Sequence, residues 1–213
     1  MVEIIPAILA QTKEEFLEML AKVQPHTERV HVDIMDGTLT QDKTYASYDE
    51  VSAADPSIQF EIHLMTTEPM AHMTDWLATP ADRICVHAEA EDVPEALHRI
   101  RSEGRSAGLA VNPKTPLEAI LEFLPMIDYI QFMTVSPGQY GGEFVEGVLQ
   151  KIDNFHNDHF EVIIAADGSM HEGVAQAAVE AGASRLILGS HIFAEGRDVG
   201  EALTELKEEF NEI

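Results

Sequence analysis

Cysteine is almost missing from this chain. Cys85 stands alone in the apolar run RICVHA, which excludes an intramolecular disulfide and reads as a small buried hydrophobe rather than a nucleophile. Long apolar runs are missing too. Nothing approaches the roughly 18 residues needed to cross a bilayer. The opening MVEIIPAILA carries no basic leader ahead of a hydrophobic segment and no small-residue cleavage site, so the expectation is a soluble, cytoplasmic protein without membrane contact. Positive charge is scarce: 13 Lys and Arg face 38 Asp and Glu, for a formal charge of -25. Such a balance repels nucleic acid and anionic lipid. The acids are spread along the chain instead of massed in a tail, which reads as a solvated acidic surface. No low-complexity tract, linker or composition break divides the sequence, so one domain is expected over residues 1–213.

What is present is globular composition, 45% apolar and 24% charged, laid out in a regular alternation. Short apolar runs bounded by turn residues predict strands at 3–9, 29–34, 59–65, 83–87, 107–111, 129–134, 161–166 and 185–188. Between them lie segments of helical period. The clearest is TKEEFLEMLAKV, in which Thr12 is placed to cap and Phe16, Leu17, Leu20 and Val23 recur at helical spacing. MAHMTDWLA, VPEALHRIRSEG, PLEAILEFL, FVEGVLQKIDNF, HEGVAQAAVEAG and VGEALTELKEEF read as the others, and residues 38–57 carry the weakest helical pattern. Strands alternating with helices predict an α/β protein, a closed (β/α)8 TIM barrel in a single domain, with an open doubly wound sheet as the alternative. Barrels of this kind keep their chemistry at the C-terminal ends of the strands and in the loops that follow.

Side chains two apart on a strand share a face. In HVDIMDG, His31, Asp33 and Met35 therefore point one way and Val32 and Ile34 the other, while Asp36 and Gly37 read as the turn. FEIHLM repeats the arrangement, with His63 and Met65 on one face at the strand's end, and EVIIAADG runs apolar until Asp167. One strand-end histidine alone reads as an ordinary hydrogen-bonded barrel residue. Two imidazoles and two carboxylates converging from three strand ends form a mixed donor set suited to one divalent ion, zinc, iron(II), manganese or cobalt. The turns SPGQYGGEF, DGSMHEG and LGSHIF follow the last three strands, and their backbone N–H groups suit a phosphate without needing lysine. Met35, Met65 and Met133 read equally as core fillers or as a soft apolar pocket lining, and His87 as a pocket residue or a structural hydrogen-bonding one.

The segments IIPAIL, VHVDIMDG, FEIHLM, VHAEA, LAVNPKTP, MTVSPGQYGGEF, ADGS and AGASRLILGSHIF, in that order, make the chain resemble the ribulose-phosphate 3-epimerase family over nearly its whole length. The resemblance implies a metal-dependent isomerase of the pentose phosphate pathway on a (β/α)8 barrel, interconverting D-ribulose 5-phosphate and D-xylulose 5-phosphate through an enediolate. It implies His31, Asp33, His63 and Asp167 as ligands of the ion, Asp33 and Asp167 as the acid/base pair, and Met35, Met65 and Met133 as lining. It also implies Gly138, Gly141, Gly142, Gly168, Ser169, Gly189 and Ser190 in substrate-binding loops, and a homo-oligomer, dimer or hexamer. Epimerising C3 removes a proton from one face and returns one to the other, so two groups must flank the carbon. The chain also departs from the family's pattern. Ala7 stands for a serine, TLTQDKT replaces Phe-Val-Pro-Asn after the DG, and Tyr140 and Ser169 stand for glycines. An epimerase acting on allulose 6-phosphate would keep all four ligands, and a catalytically silent sugar-phosphate-binding homologue would keep the fold. A related barrel family of decarboxylases and aldolases needs Asp-x-Lys-x-x-Asp, and Met35 occupies the position of that lysine.

Overall fold

A strand in a closed parallel sheet is buried on both faces, outward under helices and inward against other strands, and β-branched and small residues dominate such strands here. The computed structural model describes residues 2–136 and 142–211. Eight parallel strands pair in chain order and the last returns to the first, closing a barrel. They are β1 (Glu3–Ile8), β2 (Arg29–Met35), β3 (Gln59–Met65), β4 (Arg83–His87), β5 (Ser106–Val111), β6 (Tyr129–Met133), β7 (Ile163–Asp167) and β8 (Arg185–Leu188). Asp167 is thus the last residue of β7, one position inside the sheet compared with the sequence reading.

The helices among the described residues are α1 (Lys13–Val23), α2 (Tyr48–Ala53), α3 (Pro69–Leu77), α4 (Val93–Ser102), α5 (Gly147–Asp158), α6 (Glu172–Glu180) and α7 (Val199–Asn211). Thr12 caps α1 as expected, its hydroxyl accepting from the Glu15 N–H at 3.2 Å. The buried face of α1 is Phe16, Met19, Leu20 and Val23; Leu17, counted in that face from spacing, is 45% exposed. PLEAILEFL does not form the expected α-helix. It makes two 3-10 turns, Leu117–Ala119 and Leu121–Met126, because Pro116 opens the first and Pro125 inside the second removes an N–H donor. No helix among the described residues is long and apolar enough to cross a membrane.

The alternation of each strand divides the core into two layers. Val30, Val32 and Ile34 face outward into one continuous cluster with helix residues such as Phe16, Leu20, Trp76 and Phe155. Inside the barrel, Ile5, Ala7, Ala165 and Ile187 pack together, as do Cys85, Ala110, Tyr129 and Met133. Cys85 is wholly buried there, and burial pushes its thiol up, in keeping with an inert core residue.

The N-terminal end of the barrel is closed by charge. Glu3 accepts from Arg29 at 3.1 Å, Arg83 at 3.2 Å and Arg185 at 3.0 Å. Arg29 also grips Asp82 with both terminal nitrogens, at 2.7 and 2.9 Å, and Arg83 reaches Glu61 at 3.3 Å. Above this floor the Tyr129 ring crosses Gly108, where an added Cβ would lie 2.3 Å from the ring. Gly108→Ala must displace a buried aromatic ring, and overpacking of that kind costs about 1–3 kcal/mol. Denaturant unfolding of the variant is expected to show a loss of that size; an unchanged midpoint would mean that Tyr129 is free to move aside.

Candidate active site

The barrel register brings the sequence-predicted donors together. Asp33 pairs with His63 across β2 and β3, and Met133 pairs with Asp167 across β6 and β7. One donor atom each from His31, Asp33, His63 and Asp167 lies within 4.8 Å of the others, and all four residues are buried. His31 Nε2 is 3.3 Å and His63 Nδ1 2.9 Å from the same Asp33 oxygen, and His63 Nδ1 is 3.6 Å from Asp167. The two rings thus turn different nitrogens toward one point.

The carboxylates differ in charge state. Burial works against ionising Asp33, but the His31 and His63 rings that hydrogen-bond it together outweigh burial and hold Asp33 well below the usual carboxylate range. Burial pushes Asp167 up, and the neighbouring Asp33 charge pushes the same way, so Asp167 keeps its proton longer than a free carboxyl. Burial likewise opposes a charged His31, yet hydrogen bonds to Asp33 and Glu61 hold it well above the ordinary imidazole range. His87, buried without that pair of carboxylates, is pushed down to about 4 and is neutral.

The donor set fits a divalent cation. It combines two imidazoles with two carboxylates, and the metal-free cluster offsets its buried negative charge by keeping protons on His31 and Asp167. A groove of about 820 Å³ runs between α1 and residues 193–200, but none of the four donors lines it. Donor chemistry, not volume, marks the site.

Met35, Met65 and Met133 are buried at their strand ends, with Met133 sulfur 3.6 Å from the Gln131 amide nitrogen. Gly138 and Gly141 lie outside the described residues, as does Tyr140. Gly142, Gly168, Ser169, Gly189 and Ser190 are half-buried in the turns after β6, β7 and β8. Gly168 has φ +105, and a Cβ there would lie 2.6 Å from Val135, so no other residue fits without a shift. Ser169 follows at φ +40, a conformation that favours glycine, and its hydroxyl donates to the Gly142 carbonyl. Thr134 ties the same turns to the site: its N–H donates to the Asp167 carbonyl at 2.7 Å and its hydroxyl to that of Gly168. On the other side of the barrel mouth the TLTQDKT segment folds back on β2. Thr44 hydroxyl accepts from the Met35 N–H at 2.8 Å and donates to the Asp33 carbonyl at 2.9 Å, and the backbones of Asp36 and Lys43 form an antiparallel β-bridge. Asp36 serves the turn, accepting from Thr38, from Thr66 at 2.6 Å and from His72 at 3.1 Å.

Sequence reasoning missed two buried contacts of the donors. Glu61 accepts from His31 Nδ1 at 2.7 Å, and Gln131 donates to Asp167 at 2.8 Å. Both were signalled: Glu61 sits two positions before His63, an acid on the inner face of an apolar strand, and Gln131 two before Met133. Glu61 is held down to about 2 despite burial, by His31 first and then by Arg83 and Arg185. His87 proves to be a hydrogen-bonding neighbour of His63, its Nε2 2.9 Å from His63 Nε2.

Comparison with known proteins gives a consistent result. The model of the ribulose-phosphate 3 epimerase family matches residues 3–193. The chain is 32% identical over 212 residues to the chloroplastic ribulose-5-phosphate-3-epimerase of Arabidopsis thaliana, covering 95% of this chain and 75% of that protein. It is 28% identical over 216 residues to ribulose-phosphate 3-epimerase of Bacillus subtilis, covering 97% and 99%. Among solved structures, a 3-hexulose-6-phosphate synthase superposes with a TM-score of 0.72 at 16% identity, covering 97% of this chain and 98% of that one. A tryptophan synthase alpha-subunit from Pyrococcus furiosus does so with a TM-score of 0.70 at 15% identity, covering all of both. At that identity the structural likeness speaks for the barrel alone.

A cation entering the cluster must displace protons from His31 and Asp167, so binding releases protons and weakens as pH falls. Titration with zinc or cobalt(II) in buffers of different ionisation heat is expected to show release of at least about one proton per ion. Affinity that does not change between pH 6 and 8 would contradict the charge states described above.

Proposed function

The chain belongs to the ribulose-phosphate 3-epimerase family, and we propose that it interconverts D-ribulose 5-phosphate and D-xylulose 5-phosphate by removing and returning the proton at C3. The observation that carries the reading is the buried pair Asp33 and Asp167, two carboxylates from different strands in the same cluster as His31 and His63. Epimerisation needs two such groups, with one proton between them. A charged carboxylate accepts the proton on one face of the carbon while a protonated one supplies it on the other, and the roles exchange in the reverse direction.

His31, Asp33, His63 and Asp167 would hold the divalent ion. Bound there, it supplies positive charge that lowers the energy of the negative charge developing on the ketone and neighbouring hydroxyl oxygens. General acid/base help of about 10²- to 10⁴-fold is too little alone for an unactivated ketone, which is why the reading includes the ion. Gln131 orients the Asp167 carboxyl through its amide hydrogen bond, and Thr134 fixes the backbone beneath it. Met35, Met65 and Met133 would exclude water from the reacting carbon while offering no competing proton donor. Backbone N–H groups of the turns at Gly142, Gly168, Ser169, Gly189 and Ser190 would receive the phosphate, which suits a chain with few lysines.

Retention of all four donors in one buried cluster supports an active enzyme over a silent sugar-phosphate-binding homologue. Metal-loaded protein incubated with ribulose 5-phosphate in D2O is expected to place deuterium at C3 and to form xylulose 5-phosphate. Allulose 6-phosphate in the same assay separates a pentulose from a hexulose preference, and no exchange with either would end the epimerase reading. Asp167→Asn is expected to keep substrate binding and lose about 10²- to 10⁴-fold in turnover; full activity in that variant would remove Asp167 from the acid/base pair.

A further inference from the structure

Two segments of the sequence remain without a role in this chemistry, VHAEA at the end of β4 and NPKTP after β5. They meet behind His63. His87 and His63 face each other through their Nε2 atoms at 2.9 Å, with ring planes 17° apart and centroids 5.0 Å apart. Nearly parallel rings with nitrogens that close to each other lie edge to edge, in line for one N–H···N hydrogen bond. The opposite nitrogen of His87, Nδ1, lies 3.1 Å from Glu89 Oε2. Glu89 is held in turn: its other oxygen accepts from the Asn112 N–H at 3.0 Å and from the Thr115 hydroxyl. Lys151 of α5 fixes that loop by donating to the carbonyls of Asn112, Pro113 and Thr115 at 3.1, 2.7 and 2.6 Å.

We propose that His87 and Glu89 form a positioning relay that places the proton of His63 on Nε2 and leaves Nδ1 as the lone-pair donor facing Asp33 and Asp167. Two neutral rings bring two protons to three contacts, Asp33 to His63, His63 to His87 and His87 to Glu89, so one contact goes without. Gln131 Nε2, 3.3 Å from His63 Nδ1, donates there and leaves the gap at Asp33, where a cation would sit. With the shared proton on His63 Nε2, His87 Nε2 accepts it and His87 Nδ1–H donates to the Glu89 carboxylate. With the proton on His87 Nε2 instead, a neutral His87 turns a bare Nδ1 lone pair onto a carboxylate oxygen. A metal-binding histidine is set in this way by what its second nitrogen meets. His31 solves the same problem by a different route, presenting Nε2 while Glu61 holds Nδ1. The two ligand histidines are therefore oriented from different ends of the barrel, His31 from the arginine floor and His63 from the loops at the mouth. The part of the inference that concerns a metal rests on the function proposed above.

Nitrogen-15 spectra of the metal-free protein, with zinc affinity from chelator competition, test the relay. In the wild type, His63 Nε2 is expected to carry a slowly exchanging, hydrogen-bonded proton. His87→Phe keeps a ring but removes the acceptor; it should abolish that signal and weaken zinc binding about 10- to 100-fold. His87→Gln returns an acceptor oxygen and should recover most of both. Should His87→Phe fail to fold, Glu89→Gln on the half-exposed loop sets an amide N–H₂ against a donor, and is expected to weaken zinc binding in the same direction. A bare Nε2 on His63 in the wild type overturns the proposal, as does zinc affinity within twofold of wild type in folded His87→Phe or Glu89→Gln. If the wild type binds no zinc but His63 Nε2 carries its proton toward His87, the relay stands and the metal reading falls.

Discussion

Burying carboxylates inside a closed barrel is the constraint on which the rest of this molecule depends. An ionised group taken out of water costs several kcal/mol unless a partner meets it, and this barrel interior holds Asp33, Glu61 and Asp167. Each is answered differently. Glu61 is shared between His31 toward the mouth and Arg83 toward the floor. Asp33 is answered by imidazole, and Asp167 by retaining its proton. The strand pairing that closes the barrel also sets the level at which each group sits, since His31 and Arg83 both lie in register with Glu61.

The same wiring links architecture to chemistry. Floor and mouth are not separate regions in this barrel: the floor network ends on a site histidine through Glu61, and the mouth loops reach the other through His87 and Glu89. Thr44 and Thr134 add backbone ties beneath Asp33 and Asp167. A site built on strand ends and braced from both sides keeps its donors at fixed separations, as positioning of reacting groups requires.

Most of the barrel was legible from short apolar runs and the spacing of turn residues, because a parallel strand buried on both faces leaves a continuous apolar signature. The four donors were legible for a related reason: polar residues at i and i+2 near a strand's end stand out against that background. Glu61 followed the same rule and was passed over, since an acid within an apolar strand has meaning only once its neighbours in space are known. PLEAILEFL misled because its apolar spacing is helical while Pro125, directly after it, breaks the helical hydrogen bonding. Ser169 looked like a lost glycine from sequence alone. In the fold its backbone does take a glycine-like angle, and the hydroxyl offsets the strain through Gly142.

The arginine floor also shapes how the molecule meets its surroundings. Arg29, Arg83 and Arg185 come from a stock of only 13 basic side chains, and all three turn inward to neutralise acids at the barrel's base. The floor sets these three cations against Glu3, Glu61 and Asp82, so the chain's excess of acids stays with the rest of the molecule. An anionic sugar phosphate diffuses toward the mouth against this long-range field, the reverse of electrostatic steering. Mobile counter-ions shorten the reach of the field to about 10 Å at 0.1 M salt. Encounter with such a substrate then quickens as ionic strength rises, and salt acts on this barrel as an aid to capture.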